Sequence, residues 1–215
     1  MRGAAKTGAR LIPCYLEFTL PAKSVRRNRM MACVRQRILP LLLAGALLSS
    51  QRALAAVDMF LKLADTQGGV LIEGESADAK HPKEIIALSF SQGLSVAYSP
   101  TGGTGKPSFS ELNLLKTTDK ATPLLYSYCA QGRHVPQAVL TFRNSGANPF
   151  EFYKITLTDV VITSVQTSGS AGGDKPTESI SLNFAKIEWR YVPQLADGSA
   201  GTPVVTTWNL ATNTP

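Results

Sequence analysis

The feature that most constrains this sequence is a stretch, residues 85–98, in which apolar side chains recur at every second position. The apolar residues stand at even positions, and only Gln92 interrupts them: Ile86, Leu88, Phe90, Leu94, Val96 and Tyr98. Because successive side chains of a β-strand point to opposite faces, this alternation predicts a strand whose even positions are buried. The stretch is longer than an ordinary strand of about five or six residues, so we expect Gly93 to mark a bend or bulge.

Two later stretches, residues 153–165 and 178–191, show the same alternation. In the second, the apolar residues move from even to odd positions between Phe184 and Ile187. A slip of one residue carries side chains to the opposite face, so we predict a β-bulge near Ala185–Lys186 that restores the facing. Shorter strands are predicted over residues 57–63, 70–73, 108–115, 137–143 and 203–210.

One segment predicts a helix. Thr122 can cap its start, Pro123 suits the first helical position, and Gly132 suits its end. Its apolar side chains fall on one side, at Leu124, Leu125, Tyr128 and Cys129. We expect this short amphipathic helix to cover one opening or face of a β-barrel.

Many strands, one helix and Gly-rich turns predict an all-β fold, a β-barrel or sandwich of packed antiparallel sheets. The composition, 44% hydrophobic and 17% charged, is typical of a globular protein with a real core. No internal repeat or linker divides residues 57–215, so we expect a single domain there.

The basic charge of the chain is concentrated near its N-terminus. Ten of the 22 Lys and Arg residues, but only one of the 15 acidic residues, precede residue 57, and the formal charge of the whole chain is +7. Residues 57–215 therefore carry a formal charge of −2. A slightly acidic body gives no reason to expect nucleic-acid binding.

Residues 30–56 have the organisation of a secretory signal peptide. A basic start precedes an apolar run, residues 38–48, that is shorter than the roughly 20 residues needed to cross a bilayer. A small-x-small pattern follows, and cleavage there would leave a mature chain without a membrane segment. The predicted cleavage residues are Ala53, Ala55 and Ala56.

Residues 1–29, rich in Arg and without apolar periodicity, are interpreted as an unstructured, over-extended start. Two alternatives stay open for the whole extension. One is a twin-arginine signal built on Arg26–Arg27, and the other is a cytoplasmic tail that is never cleaved.

Side chains able to carry catalysis or bind a metal are few. His81 lies in a polar segment and is interpreted as a solvated loop residue, with a metal site of Asp78, His81 and Glu84 as the alternative. His134 follows the helix stop, where it can cap carbonyl groups, and Cys129 reads as a small buried side chain. The sequence has no Gly-x-Ser-x-Gly elbow. We therefore predict no enzyme, and no catalytic, cofactor-binding or metal-binding residues.

Residues Ser99–Pro107 form a long Gly-rich connection between two predicted strands. Its Gly102–Lys106 segment is like a phosphate loop only in composition, because Pro100 and Pro107 stand where that motif needs Gly and Ser or Thr. Two interpretations stay open, a mobile surface loop and an arm that docks on a neighbouring subunit. The candidate interface residues are Tyr98, Ser99, Thr101, Gly102, Gly103, Gly105, Lys106 and Ser108.

Ordered motifs along residues 57–211 are similar to those of the hemolysin-coregulated protein (Hcp) family of type VI secretion. They include Asp58-x-Phe60-Leu61-Lys62, Ile72-Glu73-Gly74-Glu75-Ser76, Ser89-Phe90-Ser91-x-Gly93, Gly132-Arg133-His134, Phe152-Tyr153-Lys154-Ile155, Asp197-Gly198-Ser199 and Trp208. The most specific block is residues 177–188.

The resemblance implies a β-barrel of two packed sheets with one helix and no catalytic residues. It implies a homohexameric ring with an open lumen, and rings that stack head to tail into a tube. That tube lies inside a contractile sheath, is capped by a spike protein, carries small effectors and is propelled out of the cell. The family's protruding inter-subunit loop falls at Ser99–Pro107, which favours the arm.

A cleaved signal peptide departs from the family pattern, because the family's tube assembles on the cytoplasmic side. If the signal is used, the chain reaches the exterior through the periplasm, as an exported paralogue or binding module without an injection role. If it is not used, the chain is cytoplasmic before secretion and the tube role stands. A secreted hydrolase on the same fold is a third alternative, disfavoured by the missing triad.

Overall fold

The structure is a computed structural model that describes residues 56–146 and 148–215. The predicted start, nearly all of the signal peptide, and the cleavage residues Ala53 and Ala55 lie outside the described residues. Ala56 lies just before the first strand, where its carbonyl oxygen accepts a hydrogen bond from Ser145 N (2.8 Å).

The described chain is built from ten strands and one helix. In order these are β1 (Val57–Ala64), β2 (Val70–Ile72), β3 (Ile85–Ser91), β4 (Leu94–Ser99), β5 (Gly103–Phe109), β6 (Leu112–Thr117), α1 (Thr122–Gln131), β7 (His134–Asn144), β8 (Phe150–Ser168), β9 (Thr177–Tyr191) and β10 (Val204–Asn209). Within residues 56–146 and 148–215, no helix has the length and apolar character needed to cross a membrane.

Six strands close into a barrel. Each pairs antiparallel with its neighbours in the order β9-β6-β3-β1-β7-β8, and β8 pairs with β9 to complete the ring. β2 adds to β1, β10 adds to β9, and β4 pairs with β5 in a separate two-stranded sheet. The predicted all-β barrel with one helix is confirmed, and closure leaves the six barrel strands without an open edge at most of their length.

Alternate side chains of the barrel strands fill its interior. The core contains Leu61, Leu63, Leu112, Leu140, Ile155, Leu157, Ile162, Ile180, Leu182 and Ile187. Inward-facing and outward-facing residues alternate along each strand, and the inward-facing side chains fill the centre and exclude water from it. The barrel interior is therefore a packed core within each subunit.

Residues 85–98 are mostly strand, but the expectation that their even positions are buried is wrong in both β3 and β4. The exposed residues are Ile86, Leu88, Phe90, Leu94, Val96 and Tyr98. Ile85 and Ala87 point into the core, whereas Ile86 and Leu88 are each 48% exposed. The register with β6 shifts between Ala87 and Ser89. Beyond the shift, Phe90 remains 39% exposed, and its ring packs edge-on against the ring of core residue Phe142 (4.7 Å between centroids).

At Gly93, where we expect a bend or bulge, the strand is interrupted completely. β3 ends at Ser91 and β4 begins at Leu94, so one long alternating stretch becomes two strands. A side chain at Gly93 would lie 3.2 Å from Ser110 Oγ, which leaves little room for any other residue.

The change of face in β9 occurs where the sequence places it, because Phe184 and Ile187 are both buried. A one-sided bulge at Ala185–Lys186 is wrong, however. The register between β8 and β9 is the same on both sides of this point, and it shifts between Ile162 and Ser164 instead. Opposite Ala185, Asp159 has a φ of 54°, so both strands change face together.

Helix α1 ends as predicted and begins differently. Gly132 has a φ of 59°, and the amides of Gly132 and Arg133 donate to Cys129 O and Tyr128 O, a Schellman ending. At the start, Thr122 Oγ1 donates to Glu178 Oε2 (2.9 Å) and caps no amide of the helix. Leu125 and Tyr128 are buried against the barrel, Cys129 is partly buried, and Leu124 is exposed.

Candidate self-assembly surface

The predicted arm is a β-hairpin, β4 and β5, that continues the strand pair β3 and β6 beyond the barrel. Its ladder ends where Ser99 pairs with Gly103. At its base, Gly93 N donates to Ser110 Oγ (2.6 Å), and Ser110 N donates to Gly93 O (2.9 Å). These bonds fasten the hairpin at the point where it leaves the barrel.

The tip of the hairpin is a tight turn. Gly102 N donates to Ser99 O (3.3 Å), and Pro100 occupies a corner that suits its fixed φ. Gly103 has a φ of 80°, a conformation that glycine adopts without steric cost. The segment predicted as a long loop is therefore built from strand and turn.

The structure places all of the predicted interface residues on this hairpin. Tyr98 and Ser99 lie on β4, Thr101 and Gly102 lie in the turn, and Gly103, Gly105, Lys106 and Ser108 lie on β5. Their contact with a neighbouring subunit stays a prediction.

The hairpin exposes apolar side chains. Leu94, Val96 and Tyr98 on β4 are 55%, 50% and 71% exposed. Single exposed apolar residues are ordinary on a soluble protein, whereas a contiguous exposed group marks an interaction site. β4 is therefore the first candidate contact surface.

The hairpin and the β9–β10 region enclose an apolar groove of about 840 Å³. Leu94 and Val96 line one side, and Trp189 and Trp208 line the other. Phe109 stands at the root, 6.2 Å from the Trp189 ring and 6.3 Å from the Trp208 ring. Sequence reasoning missed the groove, because nothing local relates these tryptophans to a hairpin so distant along the chain.

β10 pairs with β9 and with no other strand in the described part of the chain, and at its end Asn209 exchanges backbone hydrogen bonds with Thr214. The rest of the strand, residues 204–208, is an open edge. Val204 and Val205 on it are 67% and 47% exposed. An unpaired edge presents free backbone donors and acceptors to another chain. The sequence predicted a strand over 203–210, but a strand pattern carries no signal for edge position.

The interpretation of His81 as a solvated loop residue is wrong. Its side chain is buried, and its ring stacks on Phe60 with centroids 4.4 Å apart. Nδ1 lies 3.0 Å from Glu84 Oε2, and Nε2 lies 3.4 Å from Glu151 Oε1, within ion-pair range but outside hydrogen-bond geometry. Burial raises the pKa of the Glu84 carboxyl, although the charge and hydrogen bond of His81 oppose the rise.

The alternative metal site is not formed either. Asp78 Oδ2 is bound by Arg143 Nη1 (2.8 Å) and does not join His81 and Glu84. No group of three or more His, Cys, Asp or Glu in residues 56–146 and 148–215 is arranged to hold a metal ion. Arg143 also binds Asp58 Oδ2 (2.9 Å), and this hydrogen bond lowers the pKa of Asp58 despite its partial burial.

A second buried ion cluster lies beneath α1. Lys116 Nζ is 2.7 Å from Glu178 Oε2 and 2.8 Å from Asp119 Oδ1. Thr122 at the start of α1 donates to the same Glu178 oxygen, and Thr167 of β8 donates to the other one (3.2 Å). The cluster joins β6, β8, β9 and the helix, and sequence reasoning did not identify it.

His134 and Cys129, the two other candidate side chains, have different surroundings. His134 Nδ1 lies 2.5 Å from Asp159 Oδ1 on the surface, so the ring binds a carboxylate and caps no helix carbonyl. Cys129 is a free, partly buried thiol on α1.

Similarity to known proteins covers most of the described chain. Residues 60–191 match the family described as Type VI secretion system effector, Hcp. The chain is 43% identical over 164 residues to Protein hcp1 of Pseudomonas aeruginosa, covering 74% of this chain and 98% of that protein. Its fold is similar to a solved type six secretion system protein (TM-score 0.67, 34% identity) and to Hcp1 from Salmonella typhimurium (TM-score 0.60, 35% identity). Each alignment covers 74% of this chain and 98% of the solved chain.

Proposed function

Because this chain belongs to the Hcp family of type VI secretion system proteins, we propose that residues 57–215 act as a structural component that forms rings and tubes. The observation that carries the proposal is the hairpin β4–β5, which extends exposed apolar side chains away from a closed barrel. Phe109 at the root of the hairpin packs against the barrel core, but the exposed side chains of β4 do not belong to that core. The hairpin gains a role when another copy covers it.

Two different surfaces support a head-to-tail contact. One is the hairpin, and the other is the open edge of β10 with its exposed Val204 and Val205. A contact between unlike surfaces closes into a ring when its rotation permits, and rings can then stack. Tyr98 is the anchor that we propose for this contact, because buried aromatic side chains dominate the energy of protein interfaces.

The proposed role needs no catalysis. The two histidines each face carboxylates, His81 in the interior and His134 on the surface, and neither adjoins a nucleophile such as Cys129. These surroundings support a structural role for the chain. From the family resemblance, the proposed partners are further copies of the chain in a homohexameric ring and in stacked rings, a spike protein, a contractile sheath and small effectors.

Deletion of Thr101–Lys106 tests the arm. The deletion removes the tip and part of β5 but leaves the barrel core, so we expect folded protein that no longer forms rings. Light scattering after size exclusion and electron microscopy measure the rings, and far-ultraviolet circular dichroism measures the fold. A matched control removes residues 170–174, an exposed Gly-containing turn between β8 and β9, and should leave rings intact.

Intact rings after the hairpin deletion would contradict the arm assignment. A wild-type protein that is monomeric at micromolar concentration would contradict the ring-forming role itself.

The signal-peptide pattern of residues 30–56 favours a second candidate, an exported Hcp-like binding module without an injection role. N-terminal sequencing of the protein recovered from periplasm and medium separates the two candidates. A mature start at Ala56 or Val57 supports export, and an uncleaved chain in the cytoplasm and medium supports the tube role.

A further inference from the structure

A cleft of about 340 Å³ opens at the end of the barrel where β8 begins and β9 ends. Its walls include Phe150, Val192 and Pro203, and its charged lining consists of Lys80, Glu151, Lys154 and Arg190. Known small-ligand sites have volumes of roughly 300–1,000 Å³, so the cleft can take a small molecule. It lies apart from the hairpin, since no residue of β4 or β5 lines it.

Three of the four charged side chains are cations. Lys154 Nζ binds Glu151 Oε2 (2.7 Å), which neutralises the single carboxylate. Among the described residues, Lys80 and Arg190 have no carboxylate within ion-pair distance of their charged groups, although neighbouring cations such as Arg143 are paired. The cleft therefore contains two uncompensated positive charges.

The strand register adds to this imbalance. Lys154 of β8 lies directly opposite Arg190 of β9, and the residue on the other side of Arg190 is Val205 of β10. Like charges directly opposite each other in a sheet are destabilising. Glu151 is already held by Lys154 and lies near buried His81, so it does not relieve Arg190.

Glu151 also reports the electrostatic potential in the cleft. Its partial burial acts to raise the pKa of its carboxyl, but the hydrogen bond and charge of Lys154, with the charges of His81 and Lys80, lower the pKa overall. The surroundings therefore favour negative charge even on a carboxylate that is partly removed from water.

We propose that this cleft binds a small oxoanion, a phosphate or carboxylate group on a free small molecule, between Arg190, Lys80 and Lys154. The planar guanidinium of Arg190 can present two parallel N–H donors to two anion oxygens, and the lysines act as point charges beside it. The inference is independent of ring formation, because it uses none of the hairpin residues.

Titration of the purified protein with inorganic phosphate and with citrate, at constant ionic strength, tests the proposal by calorimetry and by NMR shifts. We expect saturable binding that weakens about tenfold in Arg190→Gln and in Lys80→Gln, because each loses a charge-assisted contact. Lys186→Gln is the matched control, since it removes an exposed cation from the same strand outside the cleft and should not change binding.

Lys80 lies in an exposed loop, so its variant keeps the test valid if Arg190→Gln fails to fold. The absence of saturable binding, or equal weakening in Lys186→Gln, would overturn the proposal. An acidic side chain of a second copy could supply the same carboxylate chemistry. If the wild type binds neither phosphate nor citrate and Arg190→Gln loses assembly, Arg190 binds a carboxylate of a second copy, and the proposal is overturned.

Discussion

At the scale of single residues, two glutamates of the β2–β3 region have pKa values shifted in opposite directions. Burial raises the pKa of Glu84 above its ordinary 4.5, although His81 opposes the rise. Hydrogen bonds from Lys83 and Lys120 lower the pKa of Glu73 from 4.5 to about 2. Two side chains of the same type, close together in the sequence, therefore make opposite contributions to the pH dependence of stability.

Replacing each with Gln should give opposite pH dependences. The stability that Glu84 gains from its raised pKa is present below pH 4.5 and is lost as the pH rises through its folded value. Wild type should thus lose stability relative to Glu84→Gln on going from acid to neutral pH. Because the charge and hydrogen bond of His81 oppose the effect of burial on this carboxyl, we expect a change below about 1 kcal/mol. Urea unfolding of both proteins at pH values from about 3 to about 7 measures this difference in stability.

Glu73→Gln is the comparison for this test. The stability that Glu73 gives the wild type is present above pH 4.5 and is lost as the pH falls toward about 2. The same slope in both variants would contradict the assignment of burial as the cause at Glu84.

The environment of His81 could not be predicted from its neighbours in the sequence. The segment around it is polar, and polar segments are usually solvated. Its burial comes from the ring of Phe60 in β1 and from Glu151 in β8, residues that only the closed barrel brings to it. A side chain whose partners come from other strands leaves no local pattern to detect.

At the scale of elements, sequence signals located strands well and their buried faces poorly. Alternation in 85–98 predicted one long strand, and the glycine at position 93 predicted a bend or bulge where the structure has a break between β3 and β4; both signals are local. Which face is buried depends on the partner strands, and in the closed barrel Ile85 and Ala87 face the core whereas Ile86 and Leu88 lie outside. For α1, the ending at Gly132 was predicted correctly, but the capping role of Thr122 was not. Gly132 acts within its own turn, whereas Thr122 binds Glu178 of a distant strand.

The ion cluster beneath α1 should be essential for fastening the helix to the barrel. Glu178→Leu leaves Lys116 fully buried with Asp119 as its remaining carboxylate, so we expect a loss below the roughly 3–5 kcal/mol that a fully uncompensated buried charge costs. Urea unfolding should show this loss. The control Lys83→Met breaks an exposed pair with Glu73 and should cost no more than about 1 kcal/mol.

The double variant Lys116→Met/Glu178→Leu separates the pair from its surroundings. It removes both charges of this pair but leaves the buried Asp119 carboxylate without its cation, so it should recover only part of the stability lost in Glu178→Leu. A double variant less stable than Glu178→Leu would show that Lys116 acts mainly through Asp119 and Thr117, whose carbonyl oxygen it also binds (2.8 Å).

At the scale of the whole molecule, the barrel strands pair with one another, and two surfaces outside the barrel keep exposed apolar side chains or unpaired backbone groups. The hairpin and the β10 edge are different in kind, one a protruding ladder with apolar side chains and the other an unpaired strand. A contact between unlike surfaces is head to tail, whereas a contact of one surface with itself stops at a dimer. Two variants that each damage one surface can distinguish these geometries.

We expect Tyr98→Lys to damage the hairpin and Val204→Lys to damage the edge, with both variants monomeric and folded. In an equal mixture, the intact edge of the first variant meets the intact hairpin of the second. One contact then forms and none can follow it, so light scattering should show a species of twice the monomer mass and no rings. Because Gln166 is an exposed polar residue of β8, Gln166→Lys serves as the control and should form rings alone.

A mixture that stays monomeric would mean that the hairpin and the edge do not meet each other. Rings in the mixture would mean that at least one substituted side chain lies outside the contact. The expected dimer has a further consequence, because its two remaining surfaces are both damaged and it should stay a dimer at any concentration at which wild type forms rings. Raising the concentration therefore separates a blocked head-to-tail contact from one that is merely weakened.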